Sequence, residues 1–332
     1  MPCQPDHEQG YIPGFHVRTD LALEATEVIN ETIPGVQLQE EQKGDIKISR
    51  VKISTPLAAQ RLGKAMGNYV TLEVPGLRQK NTPLQEEVSQ ALAQEIQAMI
   101  NFQDNQTALV LGLGNREVTP DALGPLVAEG LFVTRHVLQY KPEILGDGFR
   151  PVCALAPGVL GVTGIETGEI LQGVVEKVRP DFIIAVDALA AQRLDRLHTT
   201  IQLSDTGISP GSGVGNRRMG INKETIGVPV FALGVPTVVD AVTITGDSID
   251  LLLDSFKQQY ARSPFSDMFQ GMDMVTKRRF ISNALHPYYG NLMVTPKEID
   301  TYINDVSRLI AGALNAALHP KINPEDAGKY LH

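Results

Sequence analysis

The chain has 332 residues, 42% of them apolar, which is enough to bury a sizeable core as one large domain or two smaller ones. Its formal charge of -9, with no basic run longer than Lys277-Arg278-Arg279, argues against direct nucleic-acid binding. Cys3 and Cys153 lie far apart and imply neither a disulfide framework nor a zinc knuckle; with no signal-peptide pattern and no uninterrupted apolar stretch of membrane-spanning length, a membrane-free protein of a reducing cytoplasm is expected.

The first twenty residues carry Pro2, Pro5, Pro13, Gly10 and Gly14 among polar groups and read as a leader in loop conformation. A helix follows, with Leu21, Ala25, Val28 and Ile29 at helical spacing and Thr19 or Asp20 as N-cap. "DIKISRVKI" and "NYVTLEVPG" read as half-exposed strands of a small peripheral meander within about 45–75. In the first, the apolar phase slips from Ile46 and Ile48 to Val51 and Ile53, which suggests a bulge. Leu84, Val88, Leu92, Ile96 and Ile100 then give a helix with one buried stripe, leading into "TALVLGLGN", a buried parallel strand whose loop starts at its glycines. The same order recurs in helix "ILQGVVEKVRP" and strand "DFIIAVDALA", and in "VPVFALG" before "VPTVVDAV". These alternations predict a three-layer α/β/α sandwich on a mostly parallel sheet. Residues 261–280 show no clear period and are a candidate mobile excursion. "TPKE" predicts a capping box from Thr295 to Glu298, opening a last helix through Ile299, Ile303, Val306, Ile310 and Leu314 to about His319.

Ligands of parallel sheets bind beyond the carboxyl ends of the strands, and two acids fall there: Asp121 in "VTPDALGP" and Asp187 in "IIAVDALA". Two carboxylates around one water can divide the roles of base and proton donor, a route to peptide hydrolysis without metal or cofactor. Thr119 as N-cap and Pro120 at N1 would make Asp121 the N2 residue of a helix, where the dipole favours its ionised form; Asp187, ending an apolar strand, would have its pKa raised by burial and hold the proton. Ordinary structure offers alternatives, because an acid at N2 is often only a dipole complement. The glycine-rich stretches "LGLGN" (Gly112, Gly114, Asn115) and "PGSGVGN" (Gly211, Gly213, Gly215) could let a substrate backbone pass closely or could simply be tight turns. "GISPG" matches a nucleophile-elbow pattern around Ser209, but Pro210 has no N–H to lend to an oxyanion hole. The seven histidines form no closely spaced ligand pair, so no metal site is called for; one assembled from Asp121, Asp187 and His136 stays open. Asp205, Asp240 and Asp247 lie in or near the same loops as candidates for supporting roles.

Taken together, "VRTDLALEA", "LGLGNREVTPDALGPLV", "APGVLGVTGIETGEI", "VEKVRPDFIIAVDALAA", "SDTGISPGSGVGN", "GVPTVVDAVTIT" and "NLMVTPKEID" resemble, in this order, the spore germination proteases of endospore-forming bacteria, from about residue 17 to 318. The resemblance implies an atypical aspartic-type endopeptidase, with a fold related to the hydrogenase maturation peptidases, that degrades small acid-soluble DNA-protecting spore proteins during germination. It carries the catalytic roles onto Asp121 and Asp187. It further implies a zymogen that removes its own leader by cutting after an acid and before a hydrophobic residue followed by alanine, a pattern met at Asp20, Leu21 and Ala22. On that reading residues 1–20 are the propeptide and 21–332 a single α/β peptidase domain. A homotetramer in the spore cytoplasm is implied, with no cofactor. The stretch 261–280 looks shorter than the family's usual connection, and no function is carried over to it.

Two alternatives stand beside this reading. A metal-dependent maturation-type peptidase of the same fold would need acid or histidine ligands. A catalytically silent protein could use the glycine loops to hold a peptide or an anion.

Overall fold

The computed structural model describes residues 19–28, 33–103, 105–145, 147–211, 219–259, 274–289, 292–319 and 321. Contacts divide the chain into two units, Arg18–Ala241 with Asn291–His332, and Met1–Val17 with Val242–Gly290.

The larger unit is an α/β structure on one mixed sheet. Its strands are β1 (Val36–Lys43), β2 (Ile46–Ile53), β3 (Gly67–Glu73), β4 (Ala108–Gly112), β5 (Val152–Leu155), β6 (Phe182–Ala191), β7 (Thr200–Ser204), β8 (Val230–Asp240) and β9 (Met293–Val294). They lie in the order β1-β2-β3-β7-β8-β6-β4-β5, with β9 beside β8. Only the β8–β6, β6–β4 and β4–β5 pairs are parallel; the β1–β2, β2–β3, β3–β7, β7–β8 and β8–β9 pairs are antiparallel. The expected mostly parallel sheet with a separate meander is therefore corrected: the meander is the continuation of the parallel part, joined to it through β7. The link from β6 to β7 spans residues 192–199, without the helical crossover that a parallel return needs, so the chain comes back antiparallel.

Helices cover both faces of the sheet. In chain order the helices described across the two units are α1 (Ala22–Val28), α2 (Pro56–Leu62), α3 (Thr82–Ile100), α4 (Leu123–Glu129), α5 (Arg135–Tyr140), α6 (Leu160–Thr163), α7 (Thr167–Val178), α8 (Lys223–Ile226), α9 (Ala241–Gln259), α10 (Met274–Tyr289) and α11 (Ile299–Leu318), of which α9 beyond Ala241 and α10 belong to the smaller unit. Stripe residues Leu84, Val88, Leu92 and Ile96 of α3 pack with α4, α11 and one sheet face, including Ala108, Val110, Ile184 and Val186. The alternate residues Leu109, Leu111, Ile183 and Ala185 meet Leu171 of α7 and Ile226 of α8 on the other face. Burial on both sides is why β4 and β6 read as unbroken apolar runs, and each buried Leu, Ile or Val there contributes about 1.5–3 kcal/mol.

The apolar slip in β2 has another cause than a bulge, since its pairing with β1 and β3 is continuous from end to end. Ile46 and Ile48 face the main core, whereas Val51 and Ile53 face a second cluster with Leu23, Ala58 and Tyr69. The strand keeps its register while α1 and α2 cover its opposite face at the far end. Helix α11 begins at Ile299, with Glu298 at its N-cap position and no capping side chain. The expected capping box is absent because the Thr295 hydroxyl donates instead to the Thr237 carbonyl at 2.8 Å.

In the second unit, the described residues are the body of α9 and α10, joined by an ion pair of Lys277 Nζ with Asp250 Oδ1 at 2.8 Å. Of the stretch 261–280, residues 274–280 begin α10 and the rest lies outside the described residues.

Candidate active site

The ladder between β4 and β6 ends at Gly112 opposite Val186, with Leu113 N–H donating to Val186 O at 2.8 Å beyond it. Here the connection after β4 turns away while β6 continues to Ala191. Asp187 therefore lies within its strand rather than at the tip expected from the sequence, at the level where its neighbour stops. The small residues of "ALAA" prolong the strand, paired with β8. Asp187 is 6% exposed, and its Oδ1 accepts from Ala188 N–H at 2.9 Å.

Asp121 arrives from the β4 side. Thr119–Asp121 form a single 3-10 turn, separated from α4 by Ala122 alone, without a Thr119 cap; the expected N2 position in an α-helix is corrected. The chain must first pass close to β4, and it does so at two glycines. A Cβ on Gly112 would lie 2.2 Å from Gly124 O, and one on Gly114, whose φ is +112°, 2.0 Å from Asp121 O. The loop then closes on the acid, Asn115 N–H donating to Asp121 Oδ2 at 2.7 Å. On the other side Thr237 Oγ1 of β8 donates to Pro120 O at 2.7 Å. Backbone and hydroxyl contacts thus hold the turn where a helix dipole had been expected to act.

Both acids line one cavity of about 630 Å³. Its other walls come from β6 and β8, among them Leu189 and Thr237, and from β3, β7 and the loops flanking them, with Lys64, Tyr69, Gln202, Ser204 and Thr206. Burial pushes the Tyr69 phenol up and the Lys64 ammonium down from their ordinary values. Among the glycine-loop candidates, Gly211 lines the cavity, while Gly112, Gly114 and Asn115 stand behind Asp121 and shape its turn. Gly213 and Gly215 lie outside the described residues. Ser209 also lines the cavity. Asp205 does not line the cavity; it accepts from Asn68 N–H at 2.7 Å and Asn68 Nδ2 at 2.6 Å.

The chain's own N-terminal junction reaches the same cavity. Asp20 lines it and bonds β6 in both directions beyond the end of β4: its N–H donates to Ala190 O at 3.2 Å, and its Oδ2 accepts from Ala190 N–H at 2.9 Å. Lys64 Nζ donates to Thr19 O at 2.8 Å. Leu21 and Ala22 are wholly buried behind the junction. Glu24 is buried too, accepting from Gln192 N–H and Arg193 N–H at 2.9 and 3.0 Å, and burial raises its pKa.

His136 is exposed on α5 and does not line the cavity, so the metal set of Asp121, Asp187 and His136 is not assembled. Among the described residues no group of three His, Cys, Asp or Glu side chains is placed to hold a metal ion. Among them too, no helix is long and apolar enough to cross a membrane. Sequence reasoning missed Lys64 and Gln202. The available signals were a lysine directly after the helix-ending Gly63, and a glutamine set within the apolar run "TIQLS".

The family model described as germination protease matches residues 17–268 and, in an overlapping segment, 258–331. The chain is similar to the germination protease of Clostridium tetani (strain Massachusetts / E88), 48% identical over 321 residues covering 95% of this chain and 99% of that relative. It is 49% identical over 318 residues to that of Caldanaerobacter subterraneus subsp. tengcongensis, covering 95% and 98%. With that of Halalkalibacterium halodurans it shares 43% over an alignment of 364 positions, covering 96% and 98%. The match extends through every wall of the cavity, from Asp20 to Thr295, and so concerns the site as much as the scaffold: the chain belongs to the germination protease family.

Proposed function

We propose that the protein is a self-processing endopeptidase of germinating spores, made as a zymogen, that cleaves small acid-soluble DNA-protecting spore proteins. The cut falls after Glu or Asp and before a hydrophobic residue followed by Ala. Residues 1–20 are the propeptide, and the fold relates to that of the hydrogenase maturation peptidases. The observation that carries this reading is the presence of the Asp20–Leu21 junction at the cavity that Asp121 and Asp187 line.

The chemistry needs one water. Asp121, half-buried and oriented by Asn115 N–H, takes a proton from it as it adds to the Asp20 carbonyl carbon. Asp187, the more deeply buried acid, holds the other proton and gives it to the Leu21 nitrogen as the C–N bond breaks. The pattern of residues around the cut has a physical counterpart. Lys64 lies beside Asp20 and favours a negative charge before the cut, while Leu21 and Ala22 are fully enclosed, Ala22 in an apolar cluster with Leu23 and Ala25. A homotetramer in the spore cytoplasm completes the proposal.

Incubation of the leader-free protein with a small acid-soluble spore protein tests it. Cleavage unaffected by chelator, and reduced about a thousandfold in Asp121→Asn and in Asp187→Asn, is expected. Loss of cleavage with chelator would instead favour the metal-dependent peptidase, and an uncut substrate a binding protein.

A further inference from the structure

One side chain brackets the Asp20–Leu21 peptide group. Gln202, at the centre of β7, donates from Nε2 to Asp20 O at 3.1 Å and accepts at Oε1 from Ala22 N–H at 2.6 Å. β7 is buried along its whole length, and Gln202 itself is 8% exposed. A primary amide in such a place costs free energy unless its polar atoms are met. Here the atoms that meet them belong to the residues on either side of the junction. With Asp20 bonded to Ala190 in both directions and Thr19 O held by Lys64, the carbonyl has its oxygen fixed against the glutamine before any reaction begins.

We propose that Gln202 is the oxyanion donor for cleavage at Asp20–Leu21. As water adds to the Asp20 carbonyl carbon, the C=O π pair moves onto oxygen, and the negative charge forms against the Gln202 N–H. When the tetrahedral species collapses, that pair returns to re-form C=O, the C–N bond breaks, and the Leu21 nitrogen takes the proton from Asp187. A donor already in place needs no reorganisation as charge develops, which is why such donors are effective. After the cut, Oε1 keeps Ala22 N–H on the mature chain, while Nε2 loses its acceptor with the departing leader and becomes a donor for the carbonyl of an incoming peptide. This inference rests on the reading that the chain cuts itself after Asp20.

The test is the rate of leader loss from the full chain, followed by intact mass from about pH 4 to about pH 7, for wild type, Gln202→Leu and Gln202→Glu. Gln202→Leu has neither donor nor acceptor and is expected to be about a hundredfold slower at every pH. Gln202→Glu keeps an acceptor for Ala22 N–H, and its neutral carboxyl carries an O–H in place of the amide N–H. Its rate relative to wild type should therefore climb as pH falls through the carboxyl range. A purely structural role would leave that ratio flat, and a flat ratio, or a Gln202→Leu rate within threefold of wild type, overturns the proposal. Should Gln202→Leu fail to fold, the Gln202→Glu ratio still decides. A wild-type chain that never exposes Leu21 as its first residue defeats the underlying reading itself, an outcome distinct from a wild type that cuts there with Gln202 indifferent.

Discussion

The two halves of the sheet contribute different things to the cavity. The parallel strands β4, β5, β6 and β8 are covered on both faces, and the acids come from this half, Asp121 after β4 and Asp187 within β6. The antiparallel half reaches the cavity through β3 and β7 and supplies Tyr69, Gln202 and Ser204, with Lys64 just before β3. On the proposed mechanism, one half carries the groups that exchange protons, and the other carries most of the groups that hold a peptide. Their union depends on β7, which pairs β3 on one side and β8 on the other.

The joint between the halves gives the largest expected effect on stability. His198, on the link into β7, has a left-handed φ of 62°, and its ring stacks on Tyr302 with centroids 3.9 Å apart. Burial holds its imidazole down to about 4, with the Arg78 charge adding to this and Thr237 and Glu298 opposing it. Because the folded value lies below the ordinary 6.5, this contribution to stability is complete above about pH 6.5 and is lost as pH falls toward 4. Its limiting size is about 3 kcal/mol. Denaturant titrations should show the wild type losing that much more stability across this window than His198→Asn, asparagine being tolerant of the left-handed backbone. Equal pH slopes would remove His198 from the joint. His319 is lowered by burial as well and remains as background slope in both proteins.

Lys64 sharpens the comparison on the antiparallel side. Lys64→Met should slow leader loss roughly tenfold when residue 20 is Asp, and much less in an Asp20→Asn chain, a coupling of about 1 kcal/mol. Independent effects of the two substitutions would mean that Lys64 does not read the acid before the cut. On the parallel side the smallest effect is expected. Thr237→Val removes the hydroxyl that holds Pro120 O, costing about 1 kcal/mol and lowering turnover with the substrate's KM unchanged. A rise in KM alone would move Thr237 to the binding wall.

What the sequence made legible follows the same division. β4 and β6 are recognisable because burial on both faces leaves unbroken apolar runs, and the α3 stripe because it packs on one side only. Asp121 and Asp187 could be picked out because each acid follows such a run. β1 went unread, since "VQLQEEQK" is almost wholly exposed and shows no apolar face. Lys64 and Gln202 were missed for a longer-range reason. Their place at the cavity depends on β7 pairing with β3, and on residues 19 to 22 docking beside β6 and β7, contacts between segments more than a hundred residues apart. Local cues also misled where a distant partner outbid a nearby one, as when Thr295 bonds Thr237 O rather than capping α11.

The central claim is that Asp121 and Asp187 act together on the peptide bond lodged between the two halves. Incubating full-length wild type, Asp121→Asn and Asp187→Asn side by side, and recording intact mass and first residue over time, tests it most directly. The account predicts that the wild type ends at a species beginning with Leu21 while both variants keep residues 1–20. Trimming of either variant at the wild-type rate and position would contradict it.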